Sequence, residues 1–310
     1  MISVVIPLCN EAENIPLLWE RLQSALVKIT SSYEVIFIDD GSTDNSLQTL
    51  LSLAKKHKNI RIFSFRKNQG KSEALTLGFH MAKGEYIITL DADLQDRPEE
   101  IKNLLKKIDE GYDVVSGWRQ HQKRKNYMIF ASKFFNFLAR TFWHVQLHDY
   151  NCGLKAYRRE ATEHLRLYGG MHRFIPLILS EQGFTVSEVP VEHAARKFGK
   201  SKYGFSKIKE FPDIFTLLFL TNFSKRPLHF FGLVGTFLTT IGIIFLGYLT
   251  YAHFILGQRV GTRPLWSVGI LFTLVGLQVF FTGFLADLLI NISQNSNSAI
   301  DRMKRNLRPL

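Results

Sequence analysis

The sequence predicts an α/β protein built on a mostly parallel, doubly wound sheet, followed by two apolar helices. Two observations carry this expectation. Over the first 120 residues, short β-branched apolar runs alternate with segments of helical periodicity. Farther along, residues 228–257 contain no Asp, Glu, Lys or Arg, and residues 265–290 contain only Asp287. A membrane span takes about 20 mostly apolar residues, so both stretches qualify, and uncharged runs of this length are rare in soluble cores.

The elements follow in order. Strands are expected at 3–7, 34–39, 60–65, 86–91 and 113–116, with helices at 15–29, 44–56, 71–82 and 98–109. Ligands on a doubly wound sheet bind at the carboxyl ends of the strands, so the polar residues just after each strand are the ones to read. Residues 120–202 are less regular and rich in Arg, Lys and His. Residues 203–226 mix Phe, Ile and Leu with Lys, the pattern of an amphipathic segment lying on a membrane surface. The expected organisation is an α/β domain at 1–202, a juxtamembrane segment at 203–226, two spans within 227–291 and a basic tail at 292–310.

Charge sets the orientation. Lys225 and Arg226 precede the first span, and Arg302, Lys304, Arg305 and Arg308 follow the second. Basic flanks favour the cytoplasm, which puts both ends and the α/β domain inside, although the loop at 258–264 carries Arg259 and Arg263. The first strand begins at once, with no secretory signal pattern before it. Cys9 and Cys152 have neither metal-type nor disulfide-type spacing, which suits a reducing compartment. The formal net charge of +12 fits anionic lipid and diphosphate partners. A nucleic-acid partner is not expected, because no nucleic-acid-binding motif accompanies the charge.

Four strand ends carry the chemistry. Asp91-Ala92-Asp93-Leu94-Gln95-Asp96 places two carboxylates one residue apart after an apolar strand. Such a pair can reach one Mg²⁺ or Mn²⁺, the hard cations that bridge diphosphate oxygens. The bland alternative is a solvated turn with Asp96 capping the helix near Pro98. Asp39-Asp40-Gly41-Ser42-Thr43-Asp44 offers carboxylates to a base or ribose, while Ser42 or Asp44 can cap the next helix. Pro7-Leu8-Cys9-Asn10-Glu11 and Arg66-Lys67-Asn68-Gln69-Gly70-Lys71 follow two further strands, and the second is a basic turn suited to a phosphate. His144 and His148 are four apart but lack a third ligand, so no zinc site is expected there.

Together these motifs resemble glycosyltransferase family 2. The resemblance extends through Asp149-Tyr150-Asn151-Cys152-Gly153-Leu154-Lys155 and Arg196-Lys197-Phe198-Gly199-Lys200-Ser201-Lys202-Tyr203. These later motifs are similar to those of the polyprenyl-phosphate glycosyltransferases, which include the dolichyl-phosphate mannose synthases. The resemblance implies a GT-A fold and an inverting sugar transfer from a UDP- or GDP-sugar to a polyprenyl phosphate at the cytoplasmic face of the inner (plasma) membrane. It implies that Pro7, Glu11, Asp39 or Asp40, and Lys71 contact the nucleotide sugar. Asp91 and Asp93, with Gln95, would hold the metal. Arg119, Ser132, Arg173, Arg196, Ser201 and Lys202 would hold the acceptor phosphate. Met128 stands where the family often has Arg, and Arg124 or Lys125 is the substitute.

A processive polysaccharide synthase of the same family is the runner-up, but the Gln-x-x-Arg-Trp motif of those enzymes is missing. A non-catalytic scaffold has no reason to hold the like charges of Asp91 and Asp93 together. Finally, Gly269, Gly276 and Gly283 recur every seven residues in the second span, and Gly235 and Gly242 repeat the interval in the first. Small residues on one helix face allow close approach in lipid, either of the two spans to each other or of one protomer to another. This predicts a homo-oligomer whose membrane contacts use the 269/276/283 face.

Overall fold

The computed structural model describes residues 1–119, 145, 147–194, 219, 226–257 and 264–296. The chain divides into two compact units, Met1–Leu217 and Leu218–Leu310. In the first, β1 (Ile2–Leu8), β2 (Tyr33–Asp39), β3 (Ile60–Ser64), β4 (Tyr86–Thr89) and β5 (Val114–Arg119) alternate with α1 (Ile15–Val27), α2 (Ser46–Ala54), α3 (Lys71–Met81) and α4 (Ile101–Asp109). Two more strands, β6 (Lys155–Arg158) and β7 (Val186–Val191), complete a sheet of order β3-β2-β1-β4-β6-β5-β7 among the described residues.

All pairings are parallel except the two made by β6, which runs antiparallel to both β4 and β5. The central strand β1 is buried along its whole length, and β2 along all but its first residue, as expected of strands covered on both faces. One core cluster packs α1 and α4 on one side of the sheet, and a second packs α3 and the segment Ile175–Glu181 on the other. Strand order reverses between β1 and β4, the switch point at which a doubly wound sheet opens a crevice at its carboxyl edge.

The expected elements lie within a few residues of the observed ones, and β6 and β7 are additions. β6 reads Lys-Ala-Tyr-Arg and β7 contains Glu188 and Pro190. Neither is an apolar run, because β6 is short and β7 only half-buried.

The second unit contains the helices Pro227–Phe254 and Pro264–Ser296. Both are long and apolar enough to cross a membrane. Their outer faces expose Leu233, Phe237, Ile244, Leu274 and Phe281, more apolar surface than a water-soluble chain leaves bare. The second helix continues six residues beyond the expected end of its span.

The glycine stripe corrects an expectation. A Cβ on Gly276 would lie 2.5 Å from the Thr239 backbone nitrogen, and one on Gly235 would lie 2.6 Å from that of Phe280. Gly242 meets Thr273 in the same way, and Gly283 meets Phe231. The glycines therefore seat one span against the other within the chain, and the 269/276/283 face is not open to a second copy. The expected homo-oligomer loses the contact assigned to it. Gly276→Leu should cost the helical pair about 1–3 kcal/mol through overpacking. Backbone hydrogen exchange in detergent should rise along both helices, and unchanged exchange would contradict this packing.

Candidate active site

The loops at the carboxyl edge are tied to one another by named hydrogen bonds. Asn10, held at φ 55°, accepts the Thr43 N–H at 2.7 Å through Oδ1, and its own N–H donates to Ser42 Oγ at 2.8 Å. The loop after β1 is thus pinned to the loop after β2. Asp40 Oδ1 accepts the Gln69 N–H at 2.6 Å and Oδ2 accepts that of Gly70 at 3.0 Å, pinning the second loop to the third. Gly41 stands at φ 65° with a Cβ position 2.5 Å from the Lys67 carbonyl carbon, so only glycine lets these loops meet.

Asp39 and Asp40 are both buried. Asp39 accepts Ser42 N–H at 3.1 Å and Ser64 Oγ–H at 2.7 Å. A carboxylate has about four lone-pair sites, so both can fasten the loops and still receive a ligand. Asp44 accepts the Ser46 N–H at the first residue of α2, as expected. Glu11 turns towards its own loop, accepting Asn14 Nδ2–H at 2.5 Å. Pro7 is buried inside β1.

The acidic loop after β4 shows a regular alternation. Asp91, Asp93 and Gln95 are partly exposed, while Ala92, Leu94 and Asp96 are buried. Leu94 adopts φ 63°, a left-handed conformation that costs on the order of 1–3 kcal/mol for a non-glycine residue. Its side chain is anchored in the core, which holds the turn in place. Asp93 Oδ1 accepts the Gln95 N–H at 3.2 Å. Asp96 does not cap the following turn. It pairs instead with His193 Nδ1 at 3.3 Å, and His193 bridges to its backbone. Capping fails because this carboxylate points into the core, whereas the residue at the turn's N-cap is Arg97.

Lys71, the first residue of α3, donates from Nζ to Asp91 Oδ1 at 2.5 Å. Burial pushes the Asp91 carboxyl up, but Lys71, with Lys155 beyond it, outweighs burial and holds it below the usual carboxylate range. Gly153, just before β6, makes room for the cluster. A Cβ there would lie 2.6 Å from Asp91 Oδ2 and 2.8 Å from Asp96 Oδ2.

Arg119 ends β5 and grips Asp149 in a two-point ion pair, Nε–Oδ2 2.5 Å and Nη2–Oδ1 3.0 Å. Burial pushes the Asp149 carboxyl up, and the Arg119 guanidinium more than reverses this. Lys155, nearly fully buried, donates to the Cys152 carbonyl, and burial lowers its ammonium pKa. Burial pushes the Cys152 thiol up to about 12, which leaves it an inert core residue. Arg173 lies in the short turn Met171–Arg173, whose His172 places Nδ1 3.0 Å from Ser72 Oγ on α3. Burial first, then the charges of Lys71 and Arg173, push the His172 imidazole down to about 3, so it is neutral at physiological pH. His148 stacks on Trp118 at 4.1 Å and pairs with Glu188.

Of the expected site residues, Pro7, Glu11, Asp39, Asp40, Lys71, Asp91, Asp93 and Gln95 all lie on the loops or strand ends of this edge. Arg119 lies at the end of β5 and Arg173 beside α3. Ser132, Arg196, Ser201 and Lys202 lie outside the described residues, as do Arg124, Lys125 and Met128. Asp149, Gly153, Lys155 and His172 received no role from the sequence. The first three sit in a quoted motif, but the reversed direction of β6 brings Gly153 and Lys155 to the acidic loop, and Asp149 meets Arg119 at the end of β5.

The paired carboxylates fit a divalent cation. Among the described residues no group of three or more His, Cys, Asp or Glu side chains is arranged as a metal cage. Two partly exposed carboxylates beside a polar loop suit a cation of the Mg²⁺ type, which takes one or two protein carboxylates and completes its shell from substrate phosphates and water.

A mixed α/β sheet with an acidic Asp-x-Asp loop at its switch point defines a GT-A glycosyltransferase. The Glycosyl transferase family 2 profile matches residues 3–166. The chain is 34% identical to the dodecaprenyl-phosphate galacturonate synthase of Rhizobium johnstonii, over 93% of this chain and 87% of that protein. It is 36% identical to the undecaprenyl-phosphate 4-deoxy-4-formamido-L-arabinose transferase of Yersinia enterocolitica, over 91% and 84%. Glucosyl-3-phosphoglycerate synthase from Mycobacterium tuberculosis, solved with Mn²⁺, UDP-glucose and phosphoglyceric acid, shares the fold. Its TM-score is 0.54 at 18% identity, over 71% of this chain and 79% of that one. The chain belongs to glycosyltransferase family 2.

Proposed function

We propose that this glycosyltransferase moves a sugar from a UDP- or GDP-sugar onto a polyprenyl phosphate, with inversion, at the cytoplasmic face of a cell membrane. The observation that carries it is the joining of an acidic donor loop to two apolar helices in a chain whose relatives, matched over nine-tenths of its length, act on prenyl phosphates. Two helices apolar enough to cross a membrane suit an enzyme whose acceptor is a lipid. Basic flanks support a two-pass arrangement in the inner membrane, with the α/β unit in the cytoplasm.

The acceptor needs little activation. A phosphate monoester has a second pKa of about 6, so its oxygen is already an anion near neutral pH. That oxygen attacks the anomeric carbon as the bond to the diphosphate oxygen breaks, and no strong base is needed. Positioning and charge neutralisation remain to be supplied. Pro7, Glu11 and Asp39 or Asp40 hold the nucleotide side of the donor, and Lys71 approaches its diphosphate from the first turn of α3. A divalent cation held by Asp91, Asp93 and Gln95 would offset the charge developing on the departing diphosphate. Arg173 and the basic residues Arg196 and Lys202, with Ser132 and Ser201, receive the acceptor phosphate. Arg119, held by Asp149, joins them at the acceptor phosphate.

Membranes carrying the full chain should transfer label from one of a panel of UDP- and GDP-sugars to undecaprenyl phosphate. Arg196→Ala and Lys202→Ala should raise the KM for the lipid about tenfold or more, the loss of a charge-assisted contact, while leaving the donor KM within about twofold. Label that enters a polymer instead of a lipid would favour the processive synthase.

A further inference from the structure

Lys71 occupies an unexpected place for a residue assigned to a diphosphate: its ammonium lies against Asp91, the leading carboxylate of the acidic loop. Both partners are partly exposed, at 25% and 32% of their side-chain surface, so the pair faces the crevice rather than the core. Lys155 also acts on the charge of Asp91 and is itself buried. Of these two lysines, Lys71 is the partly exposed one and the one whose ammonium contacts the carboxylate. We infer that Lys71 is a positioning residue that stands in for the divalent cation in the donor-free site and moves to the diphosphate when metal and nucleotide sugar enter together. This deepens the proposed function and rests on its reading of Asp91 as a metal ligand.

Three observations support a hand-over. Lys71 begins α3, and the two residues before it, Gln69 and Gly70, have their N–H groups fixed on Asp40, so its backbone is anchored while its long side chain has the reach to serve a second anion. A partly exposed ion pair is screened by solvent and weak, so it can yield to a doubly charged ion. Left without either cation, Asp91 would face the Asp96 carboxylate across Gly153 with Lys155 as its buried counter-charge. The consequence is ordered use of the site: bare metal competes with Lys71, and the diphosphate relieves the competition by offering Lys71 a second anion. Two ligands that favour the same arrangement bind with positive coupling, typically 5–150-fold.

The test measures Mn²⁺ binding to the full chain in detergent by electron paramagnetic resonance, with no nucleotide present. Lys71→Met and Lys71→Gln should each bind Mn²⁺ about tenfold more tightly than the wild type, and Lys71→Arg should return to the wild-type value. With Mn²⁺ saturating, the two neutral variants should bind UDP or GDP, whichever the wild type prefers, about tenfold more weakly. Asp91→Asn in the Lys71→Met background should remove the Mn²⁺ site. If the neutral variants bind Mn²⁺ no better than the wild type while Asp91→Asn still abolishes binding, the hand-over is wrong and the metal site stands. If Asp91→Asn leaves Mn²⁺ binding untouched in every background, the metal reading fails and the hand-over fails with it.

Discussion

Asp91→Asn and Asp93→Asn should each lower sugar transfer by about 10³-fold, the scale on which preorganised charge at a reacting centre acts. Asn preserves the shape of each side chain and removes its charge. The sheet should survive, because both side chains are partly exposed and neither belongs to the core clusters. Far-ultraviolet circular dichroism should therefore match the wild type. EDTA should reproduce the loss in the unmodified enzyme, and Mn²⁺ or Mg²⁺ should restore it. Full activity in EDTA would refute the metal reading of this loop. Gly153 ties this outcome to the fold, since any side chain there would collide with Asp91.

The second large effect is on stability. Asp149 is almost fully buried, and its two oxygens hold Arg119 in a two-point grip while Oδ1 also accepts the Asn151 N–H at 3.0 Å. Asp149→Ala leaves a largely buried guanidinium without its partner, which costs about 3–5 kcal/mol. For a unit of this size that lowers the melting temperature by roughly 10 °C. The pH dependence has a definite sign. The folded pKa of Asp149 is depressed, so its contribution is present above the ordinary carboxylate value of about 4 and is lost as pH falls through the lower folded value. Melting curves of the full chain at pH 7 should separate wild type and variant widely, and the gap should narrow progressively in acid below about pH 4. A gap unchanged in strong acid would show that the loss comes from packing and not from the ion pair. Should Asp149→Ala fail to fold, Asp149→Asn keeps the volume and tests the charge alone.

Several parts of this molecule were legible in the order of its residues. β1, β2 and β4 are largely apolar runs, because a strand covered on both faces carries few polar side chains. The helices between them show their periodicity because each buries one stripe. Asp91 and Asp93 announced themselves by following an apolar strand, and the spans by their lack of charge. β6 and β7 were not legible. β6 takes its stability from two antiparallel neighbours far away in sequence, β4 and β5, and four residues carry too little pattern to reveal that.

Sequence by itself determined the layered α/β class, the acidic loop after β4 and the presence of two apolar helices, because each follows from local composition and period. Tertiary structure decided who meets whom. The antiparallel course of β6 brings Gly153 and Lys155 under Asp91, the turn at Met171–Arg173 sets His172 on α3, and Lys71 closes on a carboxylate twenty residues away. It also turned the glycines of the two spans towards each other. A seven-residue repeat fixes which residues share a helix face, but it holds no information about the partner of that face. The partner is selected by the shape and reach of the whole chain, where close backbone approach between two adjacent helices is available at the smallest loss of conformational freedom.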